Sequence, residues 1–70
     1  MLTKEEKYIE QAAILLNQRQ AGMWTRDEYI ERSNALAMKY KSLIQKRSNK
    51  VEYAVKLVQK VKTRAEAMRS

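Results

Sequence analysis

Apolar positions fall in three stretches of helical period. In the first, Tyr8, Ile9, Ala12, Leu15 and Leu16 share one face at i, i+4, i+7 and i+8 spacing. That period predicts an amphipathic helix from about Lys4 to Gln20. In the second, Tyr29, Ile30, Leu36, Ala37, Tyr40, Leu43 and Ile44 share a face, and Glu31, Lys39, Ser42 and Lys46 lie opposite. A helix from about Arg26 to Lys46 follows. In the third, Val51, Ala54, Val55, Leu57, Val58, Val61, Ala65 and Met68 make a broad apolar arc, which predicts a helix over about Lys50 to Met68. Its valines are weak helix formers alone, so this helix depends on packing.

The residues between these stretches are helix punctuation. Thr3, Thr25 and Asn49 each stand three residues before a glutamate (Glu6, Glu28 and Glu52). In this arrangement the first side chain accepts from an unpaired backbone N–H, and the glutamate reaches back to the cap's own N–H. Gly22, the only glycine, follows the first helix and is free to take the left-handed conformation that closes it. Such a short connection predicts an antiparallel hairpin of the first two helices.

Two architectures compete for the remainder. The polar run Lys46-Arg47-Ser48-Asn49-Lys50 reads as a loop before a capped third helix, giving a three-helix bundle. Against that, Ala37, Tyr40, Ile44, Arg47, Val51, Ala54, Val58, Val61, Ala65 and Met68 alternate by three and four without a slip, as in a heptad seam. A single helix from Arg26 to Arg69 would be about 65 Å long and would bury its far half only against another chain. The cap and the polar run favour the break. Either way the expected fold is all-α, one small domain over residues 1–70.

Composition narrows the function. A chain of 70 residues buries only roughly 60% of its unfolded surface. With neither cysteine nor histidine there is no disulfide and no usual zinc site, so stability falls to helix packing, self-association or a partner. The longest apolar run, Ala12 to Leu16, is far short of the ~18 residues that span a membrane, and the acidic amphipathic N-terminus is unlike a signal peptide. A cytoplasmic protein is expected. No nucleophile–base pair or phosphate loop appears, and the expectation is a non-enzyme with no metal, cofactor or small-molecule substrate. Glu5, Glu6 and Glu10 read as carboxylates favouring the N-terminal helix dipole.

Charge is unevenly spread. The chain carries +7. Residues 1–38 hold five basic and six acidic side chains, net −1, whereas residues 39–70 hold ten basic and two acidic, net +8. Lys56, Lys60 and Arg64, four apart, predict a solvent ridge opposite the apolar arc, with Lys46, Arg47 and Lys50 at its N-terminal end and Lys62 at the apolar edge. Such a ridge can follow a nucleic-acid backbone, each contact releasing counterions. No base-reading pattern accompanies it, so contacts are expected to be independent of base sequence. A basic amphipathic helix also suits an anionic membrane surface, but this one has no Trp or Phe to anchor it. Ile14 and Met38 fall off their apolar stripes and mark a candidate partner or dimer surface. Trp24 either joins that surface or covers the open end of the hairpin.

The run from Leu15 to Tyr29 resembles the SHOCT-type short helical hairpin. Gly22, Thr25, Asp27, Glu28 and Tyr29 match its pattern, and Arg32 and Leu36 continue it. The resemblance covers about residues 8–40 and implies an oligomerisation or interaction module without catalysis. Two expectations result. The first is a small accessory or regulatory protein, of a size found in phages and mobile elements, that binds nucleic-acid backbone through its basic half as a homodimer. The second is an adaptor, inhibitor or oligomerisation module that docks on an acidic or apolar protein surface.

Overall fold

A computed structural model describes residues 2–70 of the chain. The described residues form four helices and no strand: α1 (Lys4–Gln20), α2 (Arg26–Lys39), α3 (Lys41–Gln45) and α4 (Lys50–Arg69). The fold is all-α, as the periodicity predicts, and none of the helices is long and apolar enough to cross a membrane.

Local chemistry sets the helix ends. Thr3 and Thr25 both form complete capping boxes, with Glu6 and Glu28 as reciprocal partners. Asn49 accepts from the Glu52 N–H at 3.2 Å, but its own side-chain amide, rather than its backbone N–H, donates to the Glu52 carboxylate at 2.9 Å. Gly22 has φ +83°. It lets the Met23 N–H reach the Gln18 carbonyl and its own N–H reach that of Arg19, both at 3.0 Å, which satisfies two carbonyls left free at the end of α1.

α1 lies between its neighbours, packing mainly on α4 and also on α2. Trp24 meets Gln18 and Tyr40 meets Gln11, so α2 returns antiparallel to α1. Glu5 meets Lys60, Glu10 meets Arg64, and Asn17 meets Ala65, so α4 runs parallel to α1. Ala13 and Ala65 are both fully buried. Their small side chains let α1 and α4 approach closely. One turn beyond Ala13, the Asn17 amide donates to the Ala65 carbonyl at 3.1 Å.

One sequence expectation is corrected, and of the two architectures weighed for the remainder the favoured break is the one observed. The helix predicted from Arg26 to Lys46 divides at Tyr40, whose φ of −110° and ψ of 19° leave the helical region. Tyr40 is buried, packs its ring edge-on to Tyr8 at 5.8 Å, and receives a hydrogen bond from Gln11. The bend turns α3 onto α4, where Leu43 and Ile44 gather with Tyr40 around Leu57. The continuous heptad seam, the less favoured alternative, is not adopted. Residues 46–49 break the helix, and the greatest extent of the fold is 36 Å, well under the length of the single helix. Val51 and Val58 of that seam are 76% and 53% exposed, while Leu57, outside the seam, is buried. The arc of α4 faces α1 through Leu57 and Ala65, and a local repeat cannot indicate which part of a broad arc a neighbour will cover.

The buried set is small: Ala13, Tyr40, Leu57 and Ala65. Asn17 adds a defect, because its carbonyl oxygen is buried without a hydrogen-bond partner. An orphaned polar atom of this kind costs about 1–3 kcal/mol, more than the net gain of one amide hydrogen bond. Asn17→Leu is therefore expected to stabilise the fold by about 1–2 kcal/mol, read as a higher urea midpoint at unchanged slope. A lower midpoint would show that the bond to Ala65 outweighs the orphaned oxygen.

Candidate interaction surface

The seven cations predicted to contact phosphate do not form one free ridge. Lys60 donates to Glu5 at 2.6 Å, and Arg64 grips Glu10 through two nitrogens at 2.9 and 3.3 Å. Arg47 lies 4.0 Å from Glu5 and stacks over the Tyr53 ring at 4.3 Å, while Lys56 pairs with Glu52 at 3.4 Å. Four cations thus stand against three carboxylates along the α1–α4 seam. Lys60 and Arg64 flank α1 because the parallel packing brings its acidic side beside them. Lys46 and Lys50 lie near the start of α4, and Lys62 on its opposite edge. These last three have no carboxylate within ion-pairing distance among the described residues.

Glu5 and Glu10 accordingly do more than favour a helix dipole. Glu5 also accepts from the Tyr53 hydroxyl at 2.8 Å. The Lys60 hydrogen bond, aided by that of Tyr53, holds the Glu5 carboxyl below its ordinary 4.5. Arg64 lowers Glu10 in the same way. Lys60 and Arg64 are raised in turn by the same contacts. No local pattern reveals these pairs, because their members are 54 and 55 positions apart.

The candidate partner surface also separates. Trp24 is half-buried in the hairpin corner. Its indole N–H donates to Gln18 at 3.1 Å, and the Arg32 guanidinium stacks 3.7 Å from the ring centroid. Ile14, 43% exposed, lies with Trp24 along a shallow trough between α1 and α2. Met38 is exposed and does not line this trough.

A second apolar feature lies on the other side of the hairpin. A cleft of about 360 Å³ opens between α2 and α4. Tyr8, Ala12, Leu15 and Leu16 of α1 form its floor. Tyr29, Ser33 and Leu36 wall it on α2, and Val58, Val61 and Lys62 wall it on α4. Lys62 is its one charged lining residue. Val58 continues outward into Val55 and Val51, which are 53% and 76% exposed and lie one and two turns along the same edge of α4. The sequence signal for this surface was the width of the valine arc, which exceeds what one neighbouring helix can cover.

Comparison with protein-family models, with curated proteins and with solved structures finds no match for this chain.

The lowered carboxylates make a pH prediction. A group whose folded pKa lies below its unfolded value contributes stability above the unfolded value and loses it as pH falls through the folded one. Glu5 and Glu10 should therefore support the seam fully above about pH 4.5 and release it below. The Glu5 and Glu10 side chains remain 25% and 38% exposed, and their partners are more exposed still, so solvent screening keeps the effect modest. The thermal midpoint of the wild type is expected to drop between about pH 5 and pH 3. That of Glu5→Gln should start lower at neutral pH and fall less over the same interval. A difference between the two that stays constant with pH would remove Glu5 from the seam's stability.

Proposed function

We propose that this chain is a non-enzymatic helical interaction module that docks on protein through the apolar face between α2 and α4. One observation carries the reading. Val51, Val55 and Val58 stand exposed beside an apolar cleft, and among the described residues the buried set contains only two large side chains, Tyr40 and Leu57. Exposed apolar surface that is continuous and rimmed by polar residues is characteristic of protein contacts, and isolated exposed hydrophobes are not. The resemblance of residues 15–29 to an interaction hairpin points the same way. The absence of His and Cys from the sequence fits a binding role.

Binding to nucleic-acid backbone has weaker support. Phosphates would have to displace Glu5, Glu10 and Glu52 from four of the seven expected contacts. Lys46, Lys50 and Lys62 do not supply a row, since Lys62 belongs to the cleft.

Substitution on each surface separates the two readings. Val55→Asp puts a charge on the apolar edge without touching the buried set. Lys60→Gln removes a seam cation. Capture of binding partners by the full chain is expected to be lost with Val55→Asp and retained with Lys60→Gln, both variants keeping wild-type helicity by circular dichroism. Tight association with a mixed-sequence duplex near 150 mM salt, unaffected by Val55→Asp and falling steeply as salt rises, would overturn the proposal in favour of the phosphate backbone.

A further inference from the structure

The exposed edge of α4 has a spacing that reads the same in both directions. Val51, Val55, Val58 and Lys62 are separated by four, three and four residues. A two-fold contact requires self-complementarity, in which residue i meets residue j while j meets i. For two antiparallel copies of α4, this spacing supplies it about a point between Lys56 and Leu57. We infer that the occupant of the exposed valine edge is a second copy of this chain, with its α4 antiparallel. This inference rests on the reading of that face as a protein-docking surface.

In this register Val55 meets Val58 of the second copy, and Val58 meets its Val55. Val51 meets the aliphatic stem of Lys62, which can lie along apolar surface while its ammonium stays in water. Charge selects the antiparallel arrangement over the parallel one. Antiparallel packing carries the Lys62 ammonium, which has no ion pair among the described residues, towards Glu52 of the second copy. It also carries Glu66, likewise without an ion pair among the described residues, towards the segment that holds Lys46 and Lys50. Two-fold symmetry makes each of these contacts twice. A parallel pair would instead set Lys62 against Lys62 and Lys50 against Lys50, and like charges facing one another are destabilising. The contact is essentially one helix edge, so its buried area sits at the small end for protein interfaces. Association is expected in the micromolar range, on the order of 1–100 μM.

The chain has no cysteine, so single-cysteine variants report the register directly. Sedimentation of the full chain from about 1 μM to about 1 mM should show a monomer–dimer equilibrium. Val55→Asp should raise its midpoint by at least about tenfold. On oxidation, a mixture of Val55→Cys and Val58→Cys chains should cross-link, and so should a mixture of Val51→Cys and Lys62→Cys. Val51→Cys alone should not, because its two copies lie about 16 Å apart along the axis, beyond disulfide reach. A monomeric mass at every concentration overturns the inference. So does cross-linking of Val51→Cys to itself in preference to Lys62→Cys. If the mass stays monomeric while Val55→Asp still abolishes partner capture, the second copy is excluded and the interaction reading stands. If neither mass nor capture responds to Val55→Asp, both fail.

Discussion

The fold depends on the parallel contact of α1 with α4. Fully buried alanines, Ala13 and Ala65, allow the close approach, and flanking side chains hold it in register. Parallel packing sets like helix ends side by side, which is electrostatically unfavourable because the positive N-terminal poles become neighbours. Glu5 answers this constraint. It sits in the first turn of α1 and accepts from Tyr53, in the first turn of α4, and from Lys60. One carboxylate thus lies near two helix N-termini. At the opposite end Arg69 donates to Gln20, bringing a cation to the paired C-termini. α1 also holds the bend at Tyr40 through Tyr8 and Gln11, and that bend lets α3 cover Leu57.

The seam also accounts for the division of charge along the chain. A near-neutral first half and a basic second half invite the idea of an external acidic partner. Much of that partner is α1 itself. Glu5 and Glu10 neutralise Lys60 and Arg64 within the fold, and Glu52 occupies Lys56. Net charge along a sequence is blind to such pairing, because it sums residues that folding brings together with residues that it leaves apart. The cations of the second half without an ion pair among the described residues are Lys39, Lys41, Lys46, Lys50, Lys62 and Arg69, dispersed from the end of α2 to the end of α4.

What could be read from the sequence was the chemistry of helix ends. Thr3, Thr25, Gly22 and Asn49 act through bonds to residues three to five positions away, so their signals are complete within a short window. The all-α class and the hairpin follow from them. Tyr40 was not legible as a break, because neither glycine nor proline marks it. Its bend is imposed by burial against Tyr8 and Gln11, which lie some thirty residues earlier. The same limit applies to Ala13 and Ala65. An alanine carries no pattern that distinguishes a close helix contact from a neutral helix former. The heptad through Val51 and Val58 was a real periodicity, but residues 46–49 interrupt the helix that would have carried it.

The exposed part of that periodicity is informative about assembly. Valine loses side-chain freedom in a helix and is a weak choice on a solvent face, where Lys, Glu or Gln would sit at lower cost. α4 places Val51, Val55 and Val58 on such a face and in a spacing fit for another helix. Within the monomer nothing offsets their exposure, since α1 already takes Leu57 and Ala65 and α3 closes on the start of the helix. The arc is therefore wider than the fold requires by one helix edge. A small domain with a slender buried set gains most where new apolar contact needs no further chain ordering, and a preformed helix edge supplies that condition. The stability left out of the core and the surface left open for docking are then two consequences of the same choice of residues on α4.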